Sequence, residues 1–176
     1  MVKTVVYIEG SSSKVNGDLR KGFRTLLSKK VASEKFQIIP CNDKHSAVRM
    51  FNKDKSNKKV VVTDLDKHEN FREQEVESLG LKNQDEGCFF MVQEMEAWFL
   101  SQPEICKLVF GNQFPNFTGD AKNVENPSKK LKEMTAYKKH PYHKVKHATD
   151  LLENLNIDEL ENNFPDVKRL VETLSK

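Results

Sequence analysis

A run of β-branched residues that stops on two carboxylates constrains the fold of this chain more than any other feature. The run covers residues 60–63, and Asp64 and Asp66 follow it at i and i+2. Residues two apart on a strand face the same way, so we expect both acids to converge just past the strand's end. A second strand-like run, residues 4–8, ends on Glu9. Ligands of open α/β sheets bind at the carboxyl ends of the strands, so these acids are expected to meet at one edge.

Strand-like and helix-like segments alternate along the first 100 residues. Strands are predicted at residues 4–8, 36–40, 59–63 and 88–92, helices at 18–30, 44–52 and 93–100, a polar turn at 11–13, and helix or ordered loop at 70–79. The strands are continuously apolar, which is typical of strands buried on both faces. The sequence therefore predicts an α/β fold with a mostly parallel sheet and helices on both faces.

The last third of the chain has a different character. Residues 111–126 are irregular and rich in Asn, Gly, Phe and Pro, and the chain beyond Pro127 is predicted to be entirely helical. A length of 176 residues gives little reason to propose two domains. We therefore expect an α/β core over residues 1–110 and a helical extension over residues 111–176 that packs on it as one compact domain.

Composition excludes several classes of protein. No apolar run approaches the roughly 18 residues of a membrane span, and no secretory signal pattern is present. Three cysteines without C-x-x-C spacing argue against a disulfide framework or a zinc knuckle. A cytoplasmic protein with no membrane partner is the resulting expectation.

Basic charge is concentrated late in the chain. The net charge is only +3, but residues 122–147 hold eight lysines against two glutamates, with Tyr137 and Tyr142 among them. A basic segment dotted with aromatic residues can bind a phosphate backbone. A solvated lysine-rich surface explains the pattern equally well, and both interpretations stay open.

Within that segment, Lys144, Lys146 and His147 are candidate phosphate contacts. Cations placed there could also stabilise charge that develops on a phosphoryl group. His143 and His147 have the i, i+4 spacing of many zinc pairs, but no nearby acid or cysteine completes a ligand set, so zinc is not expected.

Three kinds of chemistry use two aspartates at this spacing. A phosphatase of the haloacid dehalogenase type would make Asp64 the nucleophile and Asp66 the acid–base, although that family usually begins with the motif and has Thr or Val where His68 stands. A sugar-nucleotide transferase would hold a metal, but the chain is short for one. A metal-dependent nuclease needs an acid from another strand, and Glu9 is a candidate. Acids that simply cap a following helix remain the structural alternative.

Two further acids, Glu94 and Glu96, open the predicted helix after the fourth strand. Acids in a first turn favour the helix dipole, which is their structural explanation. The functional interpretation places one of them at the same edge as Glu9 and Asp64. Trp98, in the same helix, is expected in the core.

These motifs resemble a known family. Glu9-Gly10 after the first strand and Asp64-Leu65-Asp66 after the third resemble the Toprim metal centre of topoisomerases, primases and OLD-type nucleases. Over nearly its full length the chain looks like a prokaryotic family with a Toprim-like core, related to the OLD-type nucleases. The other motifs that carry this resemblance are Arg20-Lys21-Gly22-Phe23, Pro40-Cys41, Met91 to Leu100, and Tyr142 to Ala148.

The resemblance implies roles by position. Glu9 would be an acid–base or metal ligand, Asp64 and Asp66 metal ligands, and Glu96, rather than Glu94, the further acid. Mg²⁺ or Mn²⁺ would be the metal, since hard cations take oxygen ligands. The catalytic set is then Glu9, Asp64, Asp66, Glu96 and Lys144, and the nucleic-acid contacts are Arg20, Lys144, Lys146 and His147.

The expected function is a divalent-metal-dependent phosphodiesterase, a nuclease acting on nucleic acid within phage defence. The OLD-type arrangement suggests an ATPase partner on a separate chain, since no G-x-x-x-x-G-K-[ST] motif occurs here. A homodimer is an assembly that we also consider. The alternative is a non-catalytic, Toprim-shaped module that docks onto an ATPase.

Overall fold

A four-stranded parallel sheet forms the centre of the fold. In the computed structural model, which describes residues 3–10 and 18–176, the strands are β1 (Thr4–Glu9), β2 (Phe36–Cys41), β3 (Lys59–Asp64) and β4 (Cys88–Met91). They lie in the order β2-β1-β3-β4, and every described pairing is parallel. The predicted α/β fold is confirmed, and the turn predicted at residues 11–13 lies outside the described residues.

Nine α-helices are described around this sheet. They are α1 (Leu19–Leu27), α2 (Lys44–Lys53), α3 (Arg72–Ser78), α4 (Glu96–Leu100), α5 (Pro103–Phe110), α6 (Pro127–Met134), α7 (Lys144–Asn154), α8 (Ile157–Asn163) and α9 (Pro165–Ser175). Several begin on residues that satisfy free backbone N–H groups. Asp43, for example, accepts the Ser46 N–H at 2.8 Å before α2. Pro165 occupies the first turn of α9, where its missing N–H costs nothing.

Helices cover both faces of the sheet. On one face, Val6, Ile8 and Val62 of β1 and β3 pack in a large apolar cluster with α1, α4 and the helices that follow α4. On the other face, Tyr7 and Val61 pack with α2 and α3. The helices of the C-terminal third therefore share a hydrophobic core with the strands. Among the described helices, none has the length and apolarity that crossing a bilayer requires.

Two predicted helical stretches differ from the structure. The chain beyond Pro127 is not entirely helical, because residues 135–143 leave the helical conformation. The Tyr142 N–H donates to the Thr135 side chain at 2.7 Å and closes this stretch into a loop, which contains Pro141. The helix predicted at residues 93–100 begins only at Glu96, since Gln93 has a left-handed φ of 57°.

Close packing between α1 and α7 depends on a glycine. A Cβ at Gly22 would lie 2.9 Å from Leu152 Cδ1 and 3.2 Å from the Thr149 Cα. This approach positions α7 against the core beside the sheet. A side chain at residue 22 would therefore force the two helices apart.

We expect Gly22→Leu to lower the free energy of unfolding by about 1–3 kcal/mol, the usual cost of forcing extra atoms into a packed core. Thr25→Leu, on the exposed face of the same helix, is the matched control and should change it little. Urea denaturation of both variants measures the difference. Equal stability for the two would contradict the close packing of α1 on α7.

Candidate functional site

Glu9 and Asp64 meet at the carboxyl edge of the sheet. They end the neighbouring parallel strands β1 and β3, and the Asp64 N–H donates to Glu9 Oε2 at 3.0 Å. Gly10 follows with a φ of 130°, a conformation that side chains other than hydrogen rarely allow, so the chain turns away directly after Glu9. The structure thus brings together the two strand-end acids that the sequence places at one edge.

The Asp64 carboxylate is almost completely buried, with 5% of the residue exposed. Its Oδ1 accepts the Met95 N–H at 2.8 Å, and its Oδ2 accepts from Lys144 Nζ at 3.2 Å. Burial raises the pKa of Asp64, while the Lys144 charge and the Met95 N–H lower it. Both oxygens of this carboxylate therefore have polar partners.

Glu96 is the further acid of the cluster, and it is fully buried at the start of α4. Its Oε1 accepts from the Tyr142 hydroxyl at 2.7 Å, whereas its Oε2 lies 3.9 Å from Lys144 Nζ and has no hydrogen-bond partner among the described residues. Burial raises the pKa of Glu96, and the Lys144 charge opposes that effect. A fully buried carboxylate oxygen without a donor is costly, and a cation beside this atom would offset that cost.

Lys144 is the single ammonium in contact with these acids among the described residues. It is the first residue of α7, and its Nζ pairs with Asp64 and faces Glu96. Although burial lowers the pKa of Lys144, the two carboxylates raise it above its ordinary value. Lys144 therefore carries a full positive charge between buried acids, and we name Glu9, Asp64, Glu96 and Lys144 the acid cluster.

Glu9 has a strongly raised pKa. Its burial and the nearby Asp64 charge raise the pKa of Glu9 from 4.5 to about 7, against the opposing effects of the Asp64 N–H and Lys144. Around neutral pH this carboxyl is therefore split between its protonated and charged forms.

Asp66 lies beyond the end of β3, so the extended i, i+2 geometry expected for Asp64 and Asp66 is not found. β3 ends at Asp64, and Asp66 has a left-handed φ of 58°, which interrupts the alternation of an extended strand. Its carboxylate lies 2.7 Å from Lys44 Nζ, which also donates to Glu75 at 3.0 Å. A dehalogenase-type phosphatase would use Asp66 as its acid–base, and its ion pair with Lys44 disfavours that alternative. Asp66 still lies close enough to add to the raised pKa of Glu9.

Glu94 and Glu96 have different partners in the structure. Glu94 Oε2 accepts the Ser128 N–H at 2.8 Å at the start of α6, so this side chain caps a helix. Glu96 joins the acid cluster, as the family resemblance implies. Trp98 is buried in the core next to Phe23.

The predicted nucleic-acid contacts lie on two helices, Arg20 on α1 and the other three on the first turn of α7. Lys146 is exposed on α7, and Arg20 is exposed on α1, 3.9 Å from Asp18. The His147 ring packs 5.1 Å from Phe110, and its Nδ1 accepts the His143 N–H at 2.9 Å. Burial also lowers the pKa of His147, which favours a neutral ring with a structural role.

The sequence places Tyr142 only among the aromatic residues of the basic segment, and it indicates no role for Lys44. Tyr142 is buried and donates to Glu96 across 46 positions of sequence, a contact that no local pattern indicates. The nearest signal was its place two residues before Lys144, within one of the motifs that carry the family resemblance.

The oxygen atoms of the acid cluster are the kind of ligand that a hard divalent cation prefers, but they are not arranged around a common ion position. Within the described ranges, no group of three or more His, Cys, Asp or Glu side chains is already arranged to hold a metal ion. The oxygen donors and the unpartnered Glu96 Oε2 nevertheless fit Mg²⁺ or Mn²⁺, which bind few protein carboxylates and keep waters. Glu9, Asp64 and Glu96 would hold such an ion if the Lys144 ammonium moved aside.

The raised pKa of Glu9 predicts how stability depends on pH. Because the folded state holds this proton up to about pH 7 and the unfolded state only to about pH 4.5, the charged form weakens the fold progressively between these values. In EDTA, we expect Glu9→Gln to raise the free energy of unfolding above pH 8 by about 1–3 kcal/mol, and by little at pH 4.5. Urea denaturation across pH measures the effect. Glu73→Gln, at an exposed position of α3, is the control, and a similar pH profile for both variants would refute the assignment.

Comparison with known proteins adds one match. A family model described as a domain of unknown function, DUF4276, matches residues 8–175. No curated protein and no solved structure matches the chain. The resemblance to Toprim and OLD-type proteins is not tested by these comparisons and stays a prediction.

Proposed function

The chain belongs to the DUF4276 family, and from its acid cluster we propose that it is a phosphodiesterase that cuts nucleic acid with Mg²⁺ or Mn²⁺. The observation that carries this proposal is a deficit of positive charge. Three carboxylates converge at the carboxyl edge of the sheet, where Lys144 is their one described cation and Glu96 Oε2 has no donor. Buried charges need a partner, so a divalent cation would complete the cluster.

The residues of the acid cluster would have different roles in the proposed reaction. A bound divalent cation would polarise the scissile phosphate and lower the pKa of an attacking water. Where Asp64 and Glu96 alone hold the ion, Glu9 is suited to accept a proton, since burial and the Asp64 charge raise its pKa to about 7 in the metal-free protein. Its Oε2 is held by the Asp64 N–H, which leaves Oε1 for that proton. Lys144, once displaced from the carboxylates, would neutralise a phosphate oxygen.

A second candidate is the non-catalytic module that docks onto a separate ATPase. The ion pair between Lys144 and Asp64 favours it, because an internal ammonium already offsets part of the buried negative charge. Asp66 is similarly paired with Lys44. In this alternative the cluster holds the fold together and binds no metal. Phage defence, with the ATPase on another chain, is the setting proposed for either role.

Nuclease activity can be tested directly. The purified protein with Mn²⁺ should cut plasmid or single-stranded DNA or RNA, and Asp64→Asn or Glu9→Gln should slow cutting by about 100-fold or more, the usual contribution of such groups. Glu73→Gln should cut at the rate of the unchanged protein. Cutting that survives Asp64→Asn would indicate a contaminating nuclease. No cutting, with or without an OLD-type ATPase, would support the module.

Metal binding separates the two candidates without relying on activity. We expect Mn²⁺ at 100 times its Kd to stabilise the protein by about 2.7 kcal/mol, and Glu96→Gln to remove this gain. Lys144→Met should bind Mn²⁺ more tightly, because it removes the competing ammonium, whereas Lys146→Met, exposed on the same helix, should not. Thermal unfolding and calorimetric titration measure both effects. A protein indifferent to Mn²⁺ would overturn the metal-dependent proposal.

A further inference from the structure

A dense group of lysines adjoins the acid cluster in sequence and in space. Residues 127–147 contain seven lysines and one glutamate, whereas the whole chain has a net charge of only +3, so the rest of the chain is net negative. Apart from Lys144, the members are exposed, and among the described residues none has a carboxylate within 4.0 Å: Lys129, Lys130, Lys132, Lys138, Lys139 and Lys146. Such a concentration of uncompensated charge favours a polyanionic partner.

The loop at residues 136–141 carries the centre of this charge, and both of its ends are fixed. At its base, the Tyr142 N–H donates to Thr135 Oγ1 at 2.7 Å. The Thr135 hydroxyl in turn donates to the Leu131 carbonyl of α6 at 2.8 Å, and Thr135 is fully buried. All six residues between these ends are exposed. A ligand that contacts this loop would therefore meet a surface whose base is already ordered.

Tyr137 gives this loop an aromatic surface. The residue is 41% exposed, and its hydroxyl donates to the Phe110 carbonyl at 3.1 Å, which fixes the ring's position. Lys138 Nζ lies 5.7 Å from the ring centroid. An aromatic ring next to lysines is the combination that single-stranded nucleic acid uses, because an unpaired base can stack while its phosphates pair with the cations. The bases of a duplex are already stacked and would gain nothing from this ring.

The loop leads directly to the acid cluster. Tyr142, which closes the loop, donates its hydroxyl to Glu96, and Lys144, two residues later, pairs with Asp64. A strand bound along the loop and the first turn of α7 would thus have a phosphate close to Lys144.

We propose that α6, the loop at residues 136–141 and the first turn of α7 bind single-stranded nucleic acid, with the exposed lysines on its phosphates and Tyr137 stacked on a base. This inference rests on the proposed function, since it defines the substrate class of the acid cluster and the surface along which that substrate lies. Within the basic segment that the sequence indicates, it assigns the phosphate contacts to the exposed lysines and base stacking to Tyr137.

The lysine contacts are tested by fluorescence anisotropy in EDTA with labelled strands of about 16 nucleotides, as DNA and as RNA. We expect Lys138→Gln/Lys139→Gln to weaken binding roughly tenfold and to reduce the slope of log K against log salt by about 1.4, the loss of two phosphate contacts on a single strand. The control, Lys55→Gln/Lys58→Gln, makes the same change in net charge at exposed positions before β3. Equal losses in the two double variants would overturn the proposed surface.

Tyr137 tests the preference for single strands. Tyr137→Leu should weaken single-strand binding roughly tenfold through the loss of stacking, while Tyr137→Phe, which keeps the ring, should retain most of it. Circular dichroism checks that both variants are folded. A duplex bound as tightly as the single strand, or Tyr137→Leu without effect, would refute the assignment.

These experiments distinguish failure of the proposed binding surface from failure of the proposed nuclease activity. If the strands do not bind in EDTA while Mn²⁺-dependent cutting persists, this surface is wrong and the nuclease stands. If the strands bind as described but Mn²⁺ neither stabilises the protein nor supports cutting, the surface stands and the nuclease is wrong.

Discussion

The attraction between the Lys144 ammonium and two buried carboxylates is the interaction on which the carboxyl edge of the sheet depends. Asp64 and Glu96 are both withdrawn from water, and leaving either without a cation would cost several kcal/mol. Lys144 begins α7, so the same ion pair fastens the C-terminal helices to the end of β3. The close approach of α7 to α1 at Gly22 then sets where that ammonium can reach. Electrostatics at the edge and apolar packing beside it therefore constrain each other.

The acid cluster nevertheless has more negative than positive charge, which is unusual for a purely structural feature. Glu9 adds a third carboxyl whose charge the folded state resists, and Glu96 keeps one oxygen without a donor. Apolar clusters on both faces of the sheet stabilise the fold and so offset the energetic cost of this arrangement. Stability is commonly given up in this way where a protein must bind or react, which is why the imbalance favours a functional interpretation of the cluster over a structural one.

Local patterns in the sequence predicted the strands and one part of the site, and long-range contacts account for the rest. Continuous apolar runs identify β1, β3 and β4, and the shared edge of parallel strands is enough to bring Glu9 near Asp64. The position of Asp66 could not be predicted, because one left-handed residue after β3 redirects it toward Lys44. The role of Tyr142 depends on a contact across 46 positions. The loop between α6 and α7 was missed for a similar reason, since its closure depends on the Thr135 hydroxyl rather than on periodicity.

Tyr142 and Lys144 lie where the basic loop meets the acid cluster, so Lys144 would couple phosphate binding to metal binding in the proposed reaction. In the proposed reaction, a phosphate that approaches from the basic loop would compete with Asp64 and Glu96 for the Lys144 ammonium. If the ammonium turned toward the phosphate, the carboxylates would lose their cation and their affinity for a divalent metal would rise. By thermodynamic reciprocity, a metal bound at the carboxylates would release Lys144 and strengthen binding of the phosphate. Substrate and metal would therefore favour each other's binding, and until both are present Lys144 would offset part of the negative charge of the carboxylates.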